Sequence, residues 1–141
     1  MQTTFAKQEA VNRQWYATSA KGKVLGHLAT QVALALMGKF KPDWTPSTDS
    51  GDYVVVTDIE SVVFTGRKLE RKKYRFHSGY MGGITEISLG TLHARKPEMV
   101  LQLAVKRMLP KGIQGRHQLK RLKVVTGSAH GHTSQKPIPL P

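Results

Sequence analysis

Tyr53-Val54-Val55-Val56 is a continuous run of β-prone residues with no polar break. A strand with one wet face alternates in polarity, whereas a continuous run marks a strand covered on both faces, as in α/β sheets. Upstream, Leu25, Leu28, Val32 and Leu36 recur at spacings of three, four and four, the stripe of a helix. Ala29, Ala33 and Ala35 widen that stripe, so the helix is buried around much of its circumference. Gly38 is placed to end it in the left-handed conformation. Trp15-Tyr16-Ala17-Thr18 is a shorter β-prone run before the helix.

Downstream, Val62-Val63-Phe64 reads as another strand. Residues 77–83 hold three glycines and read as a loop. Ser88 can cap a short helix through Ala94, and Pro97 suits the first turn of a second helix. Val100, Leu101, Ala104, Val105 and Met108 form its apolar stripe, and Pro110 with Gly112 stops it. Gln114 to Leu122 reads as a short basic helix and Val124-Val125-Thr126 as a last strand. Met1 to Asn12 reads as a polar arm and Ser128 to Pro141, with three prolines, as an extended tail. A chain of 141 residues suits a single domain over 1–141, with its compact core at about residues 13–127.

Composition narrows the function. The absence of cysteine excludes a disulfide scaffold, thiolate zinc or iron–sulfur sites and a cysteine nucleophile. The longest apolar stretch, Val24 to Met37, falls short of the roughly 20 residues of a membrane span. The start carries no basic segment followed by an apolar run, so no secretory leader is expected, and the expected location is the cytoplasm or an organelle matrix.

The charge is one-sided. Residues 1–65 hold six basic and six acidic residues; residues 66–141 hold 16 basic residues and three acids, Glu70, Glu86 and Glu98. An excess of this size repels itself unless a polyanion neutralises it, which points to nucleic acid. An anionic membrane would call for a basic amphipathic helix with bulky aromatics opposite the charge, and the basic segments have few.

Two basic constellations stand out. Arg67, Lys68, Arg71, Lys72, Lys73 and Arg75 place six cations in nine residues, each able to neutralise a phosphate and release counterions. Tyr74 can be read as a base-stacking group or as a core residue; Phe76 reads as core. The second runs from Lys106 and Arg107 through Lys111 to Arg116, Lys120, Arg121 and Lys123. A merely solvated helix face interleaves acids, and none is present here. Gly79-Tyr80-Met81-Gly82 matches the backbone-clamping loop of the KH fold in letters, but that loop joins two helices and strand-like residues precede it here. No Walker sequence or dinucleotide fingerprint occurs.

His77, His117, His130 and His132 lack neighbouring carboxylates and thiols, so they read as solvated or RNA-contacting groups and not as metal ligands. Asp43, Asp49, Asp52 and Asp58 could in principle hold a metal in a nuclease, but their Pro-, Ser- and Gly-rich setting suits turns and caps. Neither a cofactor nor a metal is expected.

Several strings together resemble one family over nearly the whole length. They are Trp15-Tyr16, Gly22-Lys23-Val24-Leu25-Gly26, Gly38-Lys39, Gly51-Asp52-Tyr53-Val54-Val55-Val56 and Thr65-Gly66-Arg67-Lys68. Arg95-Lys96-Pro97-Glu98 follows, then the most specific, Ala104-Val105-Lys106 with Met108-Leu109-Pro110-Lys111-Gly112 and Gly115-Arg116. Arg121-Leu122-Lys123-Val124, His130, His132 and Gln135-Lys136-Pro137 complete the series. In order and spacing the chain resembles the large-subunit ribosomal protein L-thirteen family in its bacterial or organellar form. His27 stands where that family usually has Arg, Arg107 where it has a small residue, and Val125 where Tyr is common.

The resemblance implies a three-layer α/β/α fold around a mostly parallel sheet, direct binding to large-subunit ribosomal RNA early in assembly, and no enzymatic activity. It implies neighbouring large-subunit proteins as partners, with no membrane, no small-molecule substrate and no homo-oligomer. The expected RNA contacts are the two constellations together with Lys39, Lys41, His77, His130, His132 and Lys136. The alternative is an RNA-binding regulator acting outside the ribosome.

Overall fold

The computed structural model describes residues 6–141. Of the expected N-terminal arm, residues 1–5 lie outside the described residues, and Gln8–Ala10 form one 3-10 turn. Strand β1 (Trp15–Ser19) leads through helix α1 (Leu25–Met37) to strand β2 (Tyr53–Thr57). The two strands pair in parallel, with Trp15 opposite Tyr53 and Ser19 opposite Thr57. Gly38 ends α1 at φ 77°, and its N–H is donated to the Ala35 carbonyl. A side chain there would be strained by that φ and would press on Ser50.

The chain then leaves the sheet. The expected strand at Val62-Val63-Phe64 does not form: Ile59–Ser61 is a 3-10 turn, and only Val63 makes a single parallel bridge, to Val24. Its three β-prone residues end at Thr65-Gly66, where Gly66 turns at φ 62°, too soon to build a ladder. Helix α2 (Lys68–Arg71) follows, then strands β3 (Lys73–His77) and β4 (Ile84–Ser88), which form a separate antiparallel ribbon. The loop between them carries the Gly79 to Gly82 string, so it joins two strands and not the two helices of a KH domain.

Ser88 then accepts the Thr91 N–H and caps helix α3 (Leu89–Arg95), and Pro97 opens helix α4 (Pro97–Met108). Helix α5 (Ile113–Lys120) stops short of the expected Leu122, because Leu122 already pairs with Val54 in strand β5 (Leu122–Val124). The segment expected to be an extended tail holds a 3-10 turn, Thr133–Gln135, and docks on the sheet: Ile138–Pro139 is strand β6, parallel to β1, and the Leu140 N–H reaches the Ala17 carbonyl. Two residues of pairing need no hydrophobic period, so the sequence shows no sign of it.

The result is an α/β fold with a parallel sheet ordered β5-β2-β1-β6. Val54, Val55 and Val56 are all fully buried, as their unbroken run required. Val54 and Val56 belong to the main core with Leu28, Val32 and Leu36 of α1 and Val100, Leu101 and Val105 of α4. Burial of each such side chain contributes about 1.5–3 kcal/mol. Along the row of Val55, Trp15 stacks on Tyr53 with ring centroids 4.4 Å apart, and the tail's His132 tilts against Trp15 at 5.2 Å.

Candidate nucleic-acid interface

The candidate cations divide by what the fold does with them. Arg121, between α5 and β5, is buried, and its guanidinium grips Asp49 through two bonds of 2.6 Å and donates to the Leu36 carbonyl. Lys41 is half-buried; its ammonium donates to Asp52 at 2.7 Å and to the Asn12 and Ser50 carbonyls. Both of these expected RNA contacts are engaged within the fold, paired with carboxylates that the sequence already placed in turns. The physical reason is burial, since an unpaired charge inside the fold is costly and takes the nearest acid.

The ions around Asp49 also set its titration. Burial raises its pKa, but the hydrogen bonds and charge of Arg121, with Arg13 behind it, outweigh that and hold the carboxyl below its ordinary value. Asp58, at φ 55°, accepts the Ser19 hydroxyl. Asp49, Asp52 and Asp58, three of the four aspartates that a nuclease reading would use, therefore have structural partners.

On the ribbon the pairing is looser. Arg75 and Lys73 both reach across the strands to Glu86, at 2.6 Å and 3.2 Å. Their hydrogen bonds lower the Glu86 pKa, Arg75 contributing most. All three side chains remain in water, so the two cations are only partly neutralised. Nothing local in the chain signals this acid opposite them, because Ile84 to Ser88 lacks strand alternation.

The other candidates form no ion pair within the chain among the described residues. Arg67, Lys68 and Arg71 are exposed on and before α2, Lys106 and Arg107 on the last turn of α4, and Lys111 in the loop after it. Arg116 and Lys120 are exposed on α5, and Lys123 on β5. Lys39 lies over the ring of Trp44 at 5.4 Å, and Lys136 is exposed in the tail. His77 and His130 use Nδ1 to accept the N–H groups of Gly79 and His132, which leaves the other ring nitrogen uncommitted in each.

Tyr74 is a core residue. It is 2% exposed, with Lys72 and Arg107 over its ring at 5.2 Å and 5.6 Å. Phe76 is half-buried against the core, as expected. Through Tyr74 the two basic constellations, far apart in sequence, meet: Arg67, Lys68, Arg71, Lys72 and Arg107 rim one open groove of about 840 Å³. Leu25, Phe64, Tyr74, Leu89 and Met108 line it, and no carboxylate does. Sequence reasoning missed this groove, since nothing local links Arg107 to Arg67.

A family model described as Ribosomal protein L13 matches residues 13–131. The chain belongs to this family. The large ribosomal subunit protein uL13 of Thermosipho africanus is 54% identical over 138 residues, covering 98% of this chain and 93% of that protein. The proteins of the same name from Dictyoglomus thermophilum and Idiomarina loihiensis are 52% and 51% identical over 140 residues, covering 99% of this chain and of each relative. The resemblance read from the ordered strings is borne out, and with it the non-enzymatic reading: an L13-family protein is a structural component of the ribosome. No helix among the described residues is long and apolar enough to cross a membrane.

Proposed function

We infer that the chain is a structural constituent of the large ribosomal subunit, binds large-subunit ribosomal RNA directly and supports early subunit assembly in the cytoplasm. One observation carries the reading: Asp49, Asp52 and Glu86 are engaged by cations of the fold, while the cations of α2, the end of α4 and α5 have no acidic partner among the described residues. Such a surface is complementary to a phosphate backbone. Lys and Arg from these elements neutralise phosphates of separate RNA segments and hold them together. Specificity comes from RNA shape, because side chains do not reach base edges in the deep A-form groove. Neighbouring large-subunit proteins are the expected protein contacts, and the chain acts as a monomer.

The test is sedimentation of a lysate through sucrose gradients at low and moderately high salt. Co-migration with the large subunit at about one copy per subunit, retained in salt, is expected. Replacing Arg116, Lys120 and Lys123 together by Ala should reduce incorporation and lower the salt slope of binding by roughly 0.7–0.9 for each phosphate that is no longer neutralised. Unchanged incorporation of that variant would sink the reading. Free protein at both salts would favour a regulator acting off the ribosome.

A further inference from the structure

The groove beneath Arg67, Lys68, Arg71, Lys72 and Arg107 has a chemistry that phosphate tracking alone does not use. A phosphate track needs only cations. Here the cations border an apolar hollow floored by the buried side chains of Leu25, Tyr74 and Leu89, with the exposed Met108 as one wall. Its volume of about 840 Å³ lies in the range of about 300–1,000 Å³ typical of small-molecule sites. The lining cations come from two elements, Arg67, Lys68, Arg71 and Lys72 in and beside α2 and Arg107 at the end of α4. Tyr74, held under Lys72 and Arg107, has a buried hydroxyl without a hydrogen-bond partner.

We propose that this groove receives one unstacked RNA base, with the phosphates on either side of it held by the α2 cations and Arg107. The proposal rests on the RNA-binding reading above and names the feature of RNA that this surface selects. A flat apolar body carrying a phosphate before and after it is the complement of an apolar hollow bordered by cations from two elements. A paired nucleotide cannot supply it, because its base is inside the stack; a bulged or looped-out nucleotide can. An apolar protein segment would fill the hollow but leave five cations unmatched.

The experiment uses the full chain and two hairpin RNAs of identical stem. One carries a single bulged 2-aminopurine; in the other the same base is paired and there is no bulge. Binding of the bulged hairpin about tenfold tighter, with a fluorescence change on binding, is the expected result. Ala104→Phe adds bulk inside the groove without changing charge and should abolish the preference while leaving the salt slope intact. A thermal melt shows whether this variant folds; if it does not, Met108→Gln on the exposed wall should cut the preference about threefold. Equal affinity of the native chain for both hairpins overturns the proposal, as does a preference that survives in the folded variant. If the hairpins bind alike but Ala104→Phe fails to enter subunits, the occupant is a protein segment and the proposal is wrong. If neither hairpin binds in a salt-sensitive way, the RNA-binding reading itself falls.

Discussion

The parallel sheet and the β3–β4 ribbon are both β-structure, but they treat charge in opposite ways. Beside the sheet, Arg121 and Asp49 are closed against each other, with side chains 7% and 13% exposed. On the ribbon, Arg75 is 73% exposed while bonded to Glu86 at the same 2.6 Å. Bond length therefore does not tell a buried cation from a solvated one. The difference lies in what surrounds the pair. Water screens the ribbon pair and can replace either partner, whereas nothing replaces Asp49 for a buried guanidinium. Arginine at one place holds the fold, and at the other it remains available to a polyanion.

The largest expected effect comes from breaking the buried pair. Arg121→Ala leaves Arg13, 3.9 Å away, as the one cation beside Asp49 among the described residues, and the Leu36 carbonyl without its donor. Chemical denaturation should show a loss of about 3–5 kcal/mol. A loss near that of an exposed pair would erase the contrast with the ribbon.

Next is Gly51→Ala. A Cβ at Gly51 would strike the Leu36 carbonyl and approach the Arg121 guanidinium to 2.7 Å. The same measurement should show about 1–3 kcal/mol of destabilisation.

Acid sharpens the comparison. A carboxyl whose pKa is lowered on folding stabilises the fold fully above its unfolded value, here 3.8, and that contribution is lost as pH falls through the lower folded value. Denaturation midpoints followed downward from pH 5 should fall for the native chain, and the fall should be shallower in Asp49→Asn. In Glu86→Gln the acid profile should match the native one, because the ribbon pair is solvated.

The smallest effect on stability is that of Glu86→Gln itself, within about 0.5 kcal/mol. It should nevertheless steepen the salt dependence of RNA binding, since Lys73 and Arg75 lose their only acidic partner among the described residues. A weakened RNA affinity would mean that Glu86 orients those cations and does not compete for them.

Most of the fold was legible because its signals are local. The α1 stripe, the Gly38 stop, the Ser88 cap and Pro97 at the head of α4 each depend on residues within a few positions of one another. What was not legible depends on partners. β4 has no alternation and forms because β3 lies beside it; β6 forms because β1 offers an open edge. The site divides in the same way. Exposed Arg107, Arg116 and Lys120 could be picked out by the lack of acids around them, but Arg121, in the same acid-free stretch, looks no different in sequence.

The sequence by itself determined a buried parallel sheet, a helix packed on it, a net charge of +13 confined to the second half, and membership of one family. Periodicity and composition carry these because each residue's hydrophobicity and charge belong to it alone. The tertiary structure decided which cations are closed by acids, whether Tyr74 is core or surface, and that the two basic segments share one groove. Those are properties of pairs far apart in the chain: Asp49 and Arg121 are 72 residues apart, and only the folded chain brings them within bonding distance.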